Sequence, residues 1–177
     1  MEYIRKIIFK LGQTELTKVL KKKKDNNFDY ENYIESNNLK LSDEYIYLSK
    51  EYGYNQFNED IVFKSLNKLP ITRDDNLCPI GIIYGWGTGE NSLQENRKIF
   101  LDQIPENYFV FAEGLPGDQL CINQIDQKIY YWHHESLENE GLYLVADSLI
   151  DFLKSLHLNP NSEIEDDLEE EWFSDDF

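Results

Sequence analysis

Among the residues whose types could carry chemistry, His133-His134-Glu135 stands out first, because imidazole and carboxylate are common zinc ligands. Adjacent residues on a strand point to opposite faces, so His133 and His134 are not expected to share one ion. His157, the third histidine, has no acid at ligand spacing, and a zinc site would need Cys121 or distant carboxylates to complete it. The expectation is a strand end with His133 partly buried, His134 exposed and no metal. Gly85, Gly87 and Gly89 are spaced G-x-G-x-G, which fits neither the dinucleotide fingerprint nor the phosphate loop. No lysine follows closely and Glu90 has the wrong sign, so the cluster reads as a turn with positive-φ positions. There is no G-x-S-x-G elbow. Cys78 precedes Pro79 and Cys121 lies inside an apolar run, so both read as small core residues. Glu113 and Asp118 end one turn and could pair, but in a chain with 34 acids such coincidences are expected. No catalytic residue, cofactor or metal ligand is assigned, and the chain is expected not to be an enzyme.

The elements that must position these residues follow from periodicity. Ile4, Ile7, Ile8 and Leu11 fall at helical spacing, and Leu16, Val19 and Leu20 resume it after Gly12. Followed by Lys21 to Lys24, this segment reads either as a membrane-surface helix or as a helix packed on the domain. Residues 25–38 are polar and read as a loop or a short helix. Ser42 opens a clearer helix with Asp43 and Glu44 in its first turn and Gly53 past its end. Residues 60–63 and 79–84 read as strands, and Ser92 to Glu95 form a capping box opening a helix to about Phe100. Residues 108–112, 119–123 and 128–133 are short apolar or aromatic runs separated by turn residues, a β-meander. Leu149, Phe152, Leu153 and Leu156 form a last helix capped by Asp147 or Ser148, with Pro160 beyond it. This order predicts a single α+β domain rather than alternating βαβ units.

Composition narrows the function classes. Over 177 residues, 41% hydrophobic and 14% aromatic, a proper core is expected and disorder is not. No apolar run approaches the ~18 residues of a membrane span. The N-terminus lacks the pattern of a signal peptide, and two cysteines make no disulfide framework, so a reduced cytoplasmic protein is expected. The net charge is −17, unevenly spread: residues 1–24 carry eight bases and two acids (+6), and residues 163–177 carry nine acids and no base (−9). The rest therefore holds −17 − 6 + 9 = −14. Such a field repels phosphate and attracts basic surfaces, which disfavours nucleic acid and favours a basic protein partner. The acidic tail, with Trp172, Phe173 and Phe177, reads as loosely docked or as an arm adding contacts to a cationic partner.

Between Ser42 and Leu156 the chain resembles the SUKH superfamily, which includes a fungal regulator of cell-wall synthesis. The resemblance rests on Leu41-Ser42-Asp43-Glu44-Tyr45 with Glu51-Tyr52-Gly53, on Ile83-Tyr84-Gly85 with Ser92 to Asn96, and on Ile104 to Glu113. It continues through Gly117-Asp118, through Tyr130-Tyr131-Trp132-His133-His134-Glu135 and through Leu144 to Leu153. Ser42 stands where the family often has Pro, and His133 where an Asp is common. The resemblance implies an antiparallel meander flanked by α-helices over residues 39–158. A basic and polar extension (1–38) and an acidic tail (159–177) then lie outside it. It also implies a cytoplasmic immunity protein that binds and neutralises a bacterial toxin, many of which are basic nucleases. The alternatives are a regulatory scaffold with endogenous partners and, last, a metal-dependent hydrolase. The candidate partner-binding residues are Trp86, Asp118, Trp132, His134 and Glu135. Trp86 and Trp132 serve equally well as core, and Asp118 as a turn cap.

Overall fold

Three serines start three helices as their chemistry dictates. Ser42 Oγ accepts the Tyr45 N–H at 3.3 Å, Ser92 Oγ that of Glu95 at 3.2 Å and Ser148 Oγ that of Asp151 at 3.1 Å. The structure is a computed structural model and describes residues 1–16, 28–72, 75–87, 89, 91–136 and 141–161. Its helices are α1 (Glu2–Lys10), α2 (Tyr30–Ser36), α3 (Asp43–Glu51), α4 (Leu93–Ile99) and α5 (Leu149–Ser155). Its strands are β1 (Thr14–Leu16), β2 (Asn55–Phe57), β3 (Ile61–Lys64), β4 (Leu77–Pro79), β5 (Tyr108–Glu113), β6 (Gln119–Asn123), β7 (Ile129–Trp132), β8 (Leu142–Ala146) and β9 (His157–Leu158).

The strands form an antiparallel meander β5-β6-β7-β8, a three-stranded sheet β4-β3-β9 and the pair β1-β2. The fold is α+β, as expected, with helices packed around antiparallel sheets. A bulge at Phe111 interrupts the β5–β6 register between Val110 and Ala112. The bulged stretch meets an extended segment on its other side. Tyr84 N–H donates to Phe111 O at 2.9 Å, Gly81 N–H to Glu113 O at 2.8 Å, and Glu113 N–H to Ile82 O at 2.9 Å. Across the meander, Leu66 N–H donates to Val145 O at 3.1 Å and Asn67 N–H to Leu144 O at 2.8 Å. Both outer strands thus meet irregular chain along these stretches, one way of managing an exposed edge.

Aromatic side chains join the layers. Phe152 of α5 packs edge-on to Phe63 of β3 at 5.3 Å and to Phe111 at 5.8 Å, and Tyr45 of α3 meets Phe109 and Phe111. Cys78 and Cys121 are buried in this core, as their contexts imply.

Four expectations are corrected. Leu16 lies in a strand, because Gly12 (φ 81°) and Gln13 (φ 70°) turn the chain left-handed and end the helical spacing; Val19, Leu20 and Lys21 to Lys24 lie outside the described residues. Second, residues 79–84 do not form one strand. β4 ends at Pro79, and the following residues instead lie along β5. Third, Gly53 is not the left-handed residue after α3; Tyr54 is, at φ 67°. Gly53 is needed because a Cβ there would lie 2.5 Å from Gly85 Cα. Fourth, the meander has a fourth strand, β8, and β9 follows the last helix. The first helix packs on the body, with Ile4 and Ile8 buried, while Tyr3 and Phe9 are exposed. The acidic residues 163–177 lie outside the described residues.

Candidate functional site

The β5–β6 turn and the end of β7 meet on one carboxylate. Gly117, at φ +91°, turns the chain into Asp118, whose N–H donates to Leu115 O at 2.8 Å and whose carbonyl accepts from Gly114 N–H at 3.0 Å. A Cβ at Gly117 would come within 3.0 Å of His134 Nδ1, so glycine also lets that ring close on the turn. β6 pairs with β7 at Gln119↔Trp132, and one residue further that register sets Asp118 opposite His133. Asp118 is 1% exposed, yet its oxygens are fully engaged. Tyr131 O–H donates to Oδ2 at 2.7 Å and His134 N–H to Oδ1 at 2.9 Å. His134 Nδ1 lies 2.6 Å from Oδ1, and His133 Nδ1 lies 3.0 Å from both oxygens.

A carboxylate offers about four acceptor sites, and here four groups converge on them. Burial pushes the Asp118 pKa up, but hydrogen bonds from His134, Tyr131 and His133 outweigh it and hold the group below its usual value. Tyr131 is raised, by burial first and then by Cys78 and Asp118, while its oxygen accepts the Leu115 N–H at 3.2 Å. Burial also raises Glu113. Its side chain lies against Gly81, whereas Asp118 engages Tyr131 and the histidines, so the turn does not make a carboxylate pair of them.

The histidines depart from the strand-alternation expectation. β7 ends at Trp132, and beyond it the rings of His133 and His134 both face Asp118, their centroids 5.6 Å apart. Asp118, His133 and His134 each offer a ligand atom, all within 4.8 Å of one another, close enough that they could hold a metal ion. The same atoms already satisfy one another as a hydrogen-bonded hub. His134 is exposed as expected, its side chain 42% so, while His133 is buried rather than partly buried.

Next to the hub opens a groove of about 670 Å³. Trp132, Leu142 and Gly141 line it on one side, Leu101 to Glu106 on the other, with His134 and Ser136 at the hub. Asp102 and Glu106 are among its lining residues, and none of the described lining residues is Lys or Arg. Trp132, 7% exposed, packs edge-on to Phe100 at 5.5 Å, and Leu101 is exposed beside it. Glu135 is exposed next to His134, its carboxylate 4.0 Å from His134 Nε2.

The five candidates therefore divide. Asp118, Trp132, His134 and Glu135 come together at this end of the meander. Trp86 does not: it is buried elsewhere, stacked 6.3 Å from Phe28 and donating Nε1–H to Ser49 Oγ at 2.7 Å. Trp86 and Trp132 both take the core placement. Tyr131, His133, Asp102 and Glu106 were not foreseen as part of the site. For the first two the strand register was an available signal; the last two join through chain folding alone.

Comparison with known sequences bears on this arrangement. The profile of the SMI1 / KNR4 family (SUKH-1) matches residues 29–155, from the N-cap of α2 to the last residue of α5. The chain is also similar to the SPbeta prophage-derived uncharacterized protein YokK of Bacillus subtilis (strain 168), 29% identical over 124 residues. That similarity covers 68% of this chain, which spans 65% of the relative's length.

Proposed function

Because the chain belongs to the SMI1 / KNR4 family (SUKH-1), we propose that it is a cytoplasmic immunity protein that binds and neutralises a basic, nuclease-type toxin. The observation that carries this reading is the acid-lined groove beside the Asp118 hub. A largely polar groove that includes the carboxylates of Asp102 and Glu106 suits a partner whose own surface is rich in Lys and Arg. Complementary charge of this kind chiefly raises the on-rate and excludes wrong partners, while buried aromatic and apolar contacts supply the anchor. The overall charge of −17 acts in the same direction, and residues 137–140 bring Glu138 and Glu140 between Ser136 and Gly141 in the sequence. The prophage origin of the relative fits a protein that protects the cell carrying it.

Mechanistically, the protein needs no reaction of its own. The hub holds His133 and His134 just after β7 so that His134 and Glu135 present a preset surface, which reduces the ordering cost of association. Blocking the toxin's phosphate-binding groove is then sufficient for protection.

The Asp118–His133–His134 cluster favours one competing reading, a metal-dependent hydrolase. We rank it below, because Asp118 is already saturated by its four donors. Co-expression with the products of neighbouring genes tests the main reading. The expected outcome is a 1:1 complex with a basic toxin domain that weakens in high salt and rescues growth. Failure of every neighbour to bind, with no protection from toxicity, would overturn it in favour of a scaffold with endogenous partners. Stoichiometric zinc or manganese in purified protein would favour the hydrolase.

A further inference from the structure

A second groove, sharing no lining residue with the first, carries the other sign. It lies between α1 and α5, holds about 990 Å³ and is lined by apolar side chains that include Tyr3, Phe9, Leu153 and Leu156. Phe9 is 68% exposed, a large apolar surface left in water. The ionisable side chains of the lining include Glu2 and four bases, Arg5, Lys6, Lys10 and Lys154, so they sum to −1 + 4 = +3 in a chain of net charge −17. Lys6 pairs with Glu2 at 2.9 Å and Lys154 approaches Asp151 at 3.7 Å, but both lysines remain exposed to water.

The chain leaves the described fold close to this groove. Leu156 lines it and β9 follows directly. Asn159 N–H then donates to Asp60 O at 2.8 Å, and the neighbouring Glu59 side chain lies over Gly12, just past the end of α1. Beyond Asn161 come 16 residues, 162–177, with nine carboxylates and Trp172, Phe173 and Phe177. At roughly 3.3–3.6 Å per residue that length can reach about 55 Å, several times the ~14 Å length of a nine-residue helix.

We propose that the acidic, aromatic C-terminal segment 162–177 of this same chain docks on the α1/α5 groove, its aromatics covering Phe9 and Tyr3 and its carboxylates meeting the groove's bases. The charges are opposite, apolar groups occur on both sides, and the segment begins beside its site, so closure costs little chain entropy. The α1 groove is then a place of self-recognition, distinct from the acid-lined groove at the hub.

Paramagnetic relaxation in the full-length chain tests this. Cys78 and Cys121 are buried and their thiols are pushed up in pKa by burial, so a nitroxide can be attached selectively at S174C. The expected result is bleaching concentrated on the amides of α1 and α5, lost in molar salt and lost in F9E, an exposed position whose change leaves the fold intact. K6E/K10E gives the same loss by charge alone. Absence of bleaching at α1 and α5 overturns the proposal. So does equal bleaching when labelled chain is mixed with separate isotope-labelled chain, which makes the occupant a second copy. Binding of the unmodified chain to anionic phospholipid vesicles through α1 overturns it in favour of a lipid surface.

Discussion

The hub end of the meander and the α1/α5 face are built from similar materials and carry opposite fields. At the hub, Trp132 and Leu142 line a groove whose described lining residues include Asp102 and Glu106 and no Lys or Arg. At α1, Tyr3, Phe9 and Leu156 line a groove whose ionisable side chains include four bases and one acid. The net charge of −17 describes neither region, and a partner senses the local field within a Debye length of about 8 Å at physiological salt. The two proposed recognition events therefore depend on where the charges lie.

The comparison breaks most severely at the hub itself. Asp118→Ala leaves the Tyr131 hydroxyl and the two histidines without their common acceptor in a buried place. Loss of about 3 kcal/mol in denaturant unfolding is expected, with the acid-lined groove disordered and toxin binding lost. Phe9→Ala on the other face, at an exposed side chain, should change the same measurement by less than about 0.5 kcal/mol. A result in which the two variants are equally destabilised would abolish the distinction between a groove held by a buried network and one formed by exposed side chains.

Charge reversal sharpens it. Asp102→Lys with Glu106→Lys should weaken the proposed toxin complex by roughly 10–100-fold in titration calorimetry, mainly through the on-rate, with the melting temperature little changed. Lys6→Glu with Lys10→Glu should leave that affinity within about threefold. Core anchoring is a separate control: Ser49→Ala strands the Trp86 Nε1–H, and about 1 kcal/mol of stability should be lost with toxin binding intact.

The smallest effect is on pH dependence, where two carboxyls of one turn act in opposite senses. Asp118 is held below its ordinary value, so its contribution is present above the unfolded pKa of 3.8 and is lost as pH falls through the lower folded value. Glu113 is raised above 4.5 by burial, so its ionisation opposes folding above that region and acidification relieves the cost. Unfolding free energies measured from pH 7 toward pH 4.5 should therefore contain a small gain due to Glu113 that Glu113→Gln removes. Below pH 3.8 the Asp118 loss should persist in that variant. An unchanged pH profile in Glu113→Gln would show that its burial carries no penalty.

Much of this fold was legible because local rules governed it. Ser42, Ser92 and Ser148 each bond the N–H three residues on, and the runs at 108–112, 119–123 and 128–133 became β5, β6 and β7 with boundary shifts of no more than one residue. β8 was missed because Leu-Tyr-Leu-Val-Ala alternates weakly and abuts the next helix. The histidines were misjudged because the alternation rule was applied past Trp132, where the strand had ended. Trp132 and His134 follow from the resemblance, but the groove joins them to residues near 101–106 that no local pattern connects to them. Trp86 illustrates the converse: a glycine-flanked tryptophan in a turn is buried because Phe28 from a distant segment stacks on it.

The covered margins of the meander have a consequence for evolution as well as for binding. β5 already bonds residues 81–84 and β8 already bonds 66–67, so along those stretches a newcomer finds main-chain positions taken. Recognition there must be written in side chains, which can change one codon at a time without disturbing any ladder. Side chains on those stretches can change while the backbone stays unaltered, and concentrated solutions gain protection from edge-to-edge fibril growth by the same arrangement.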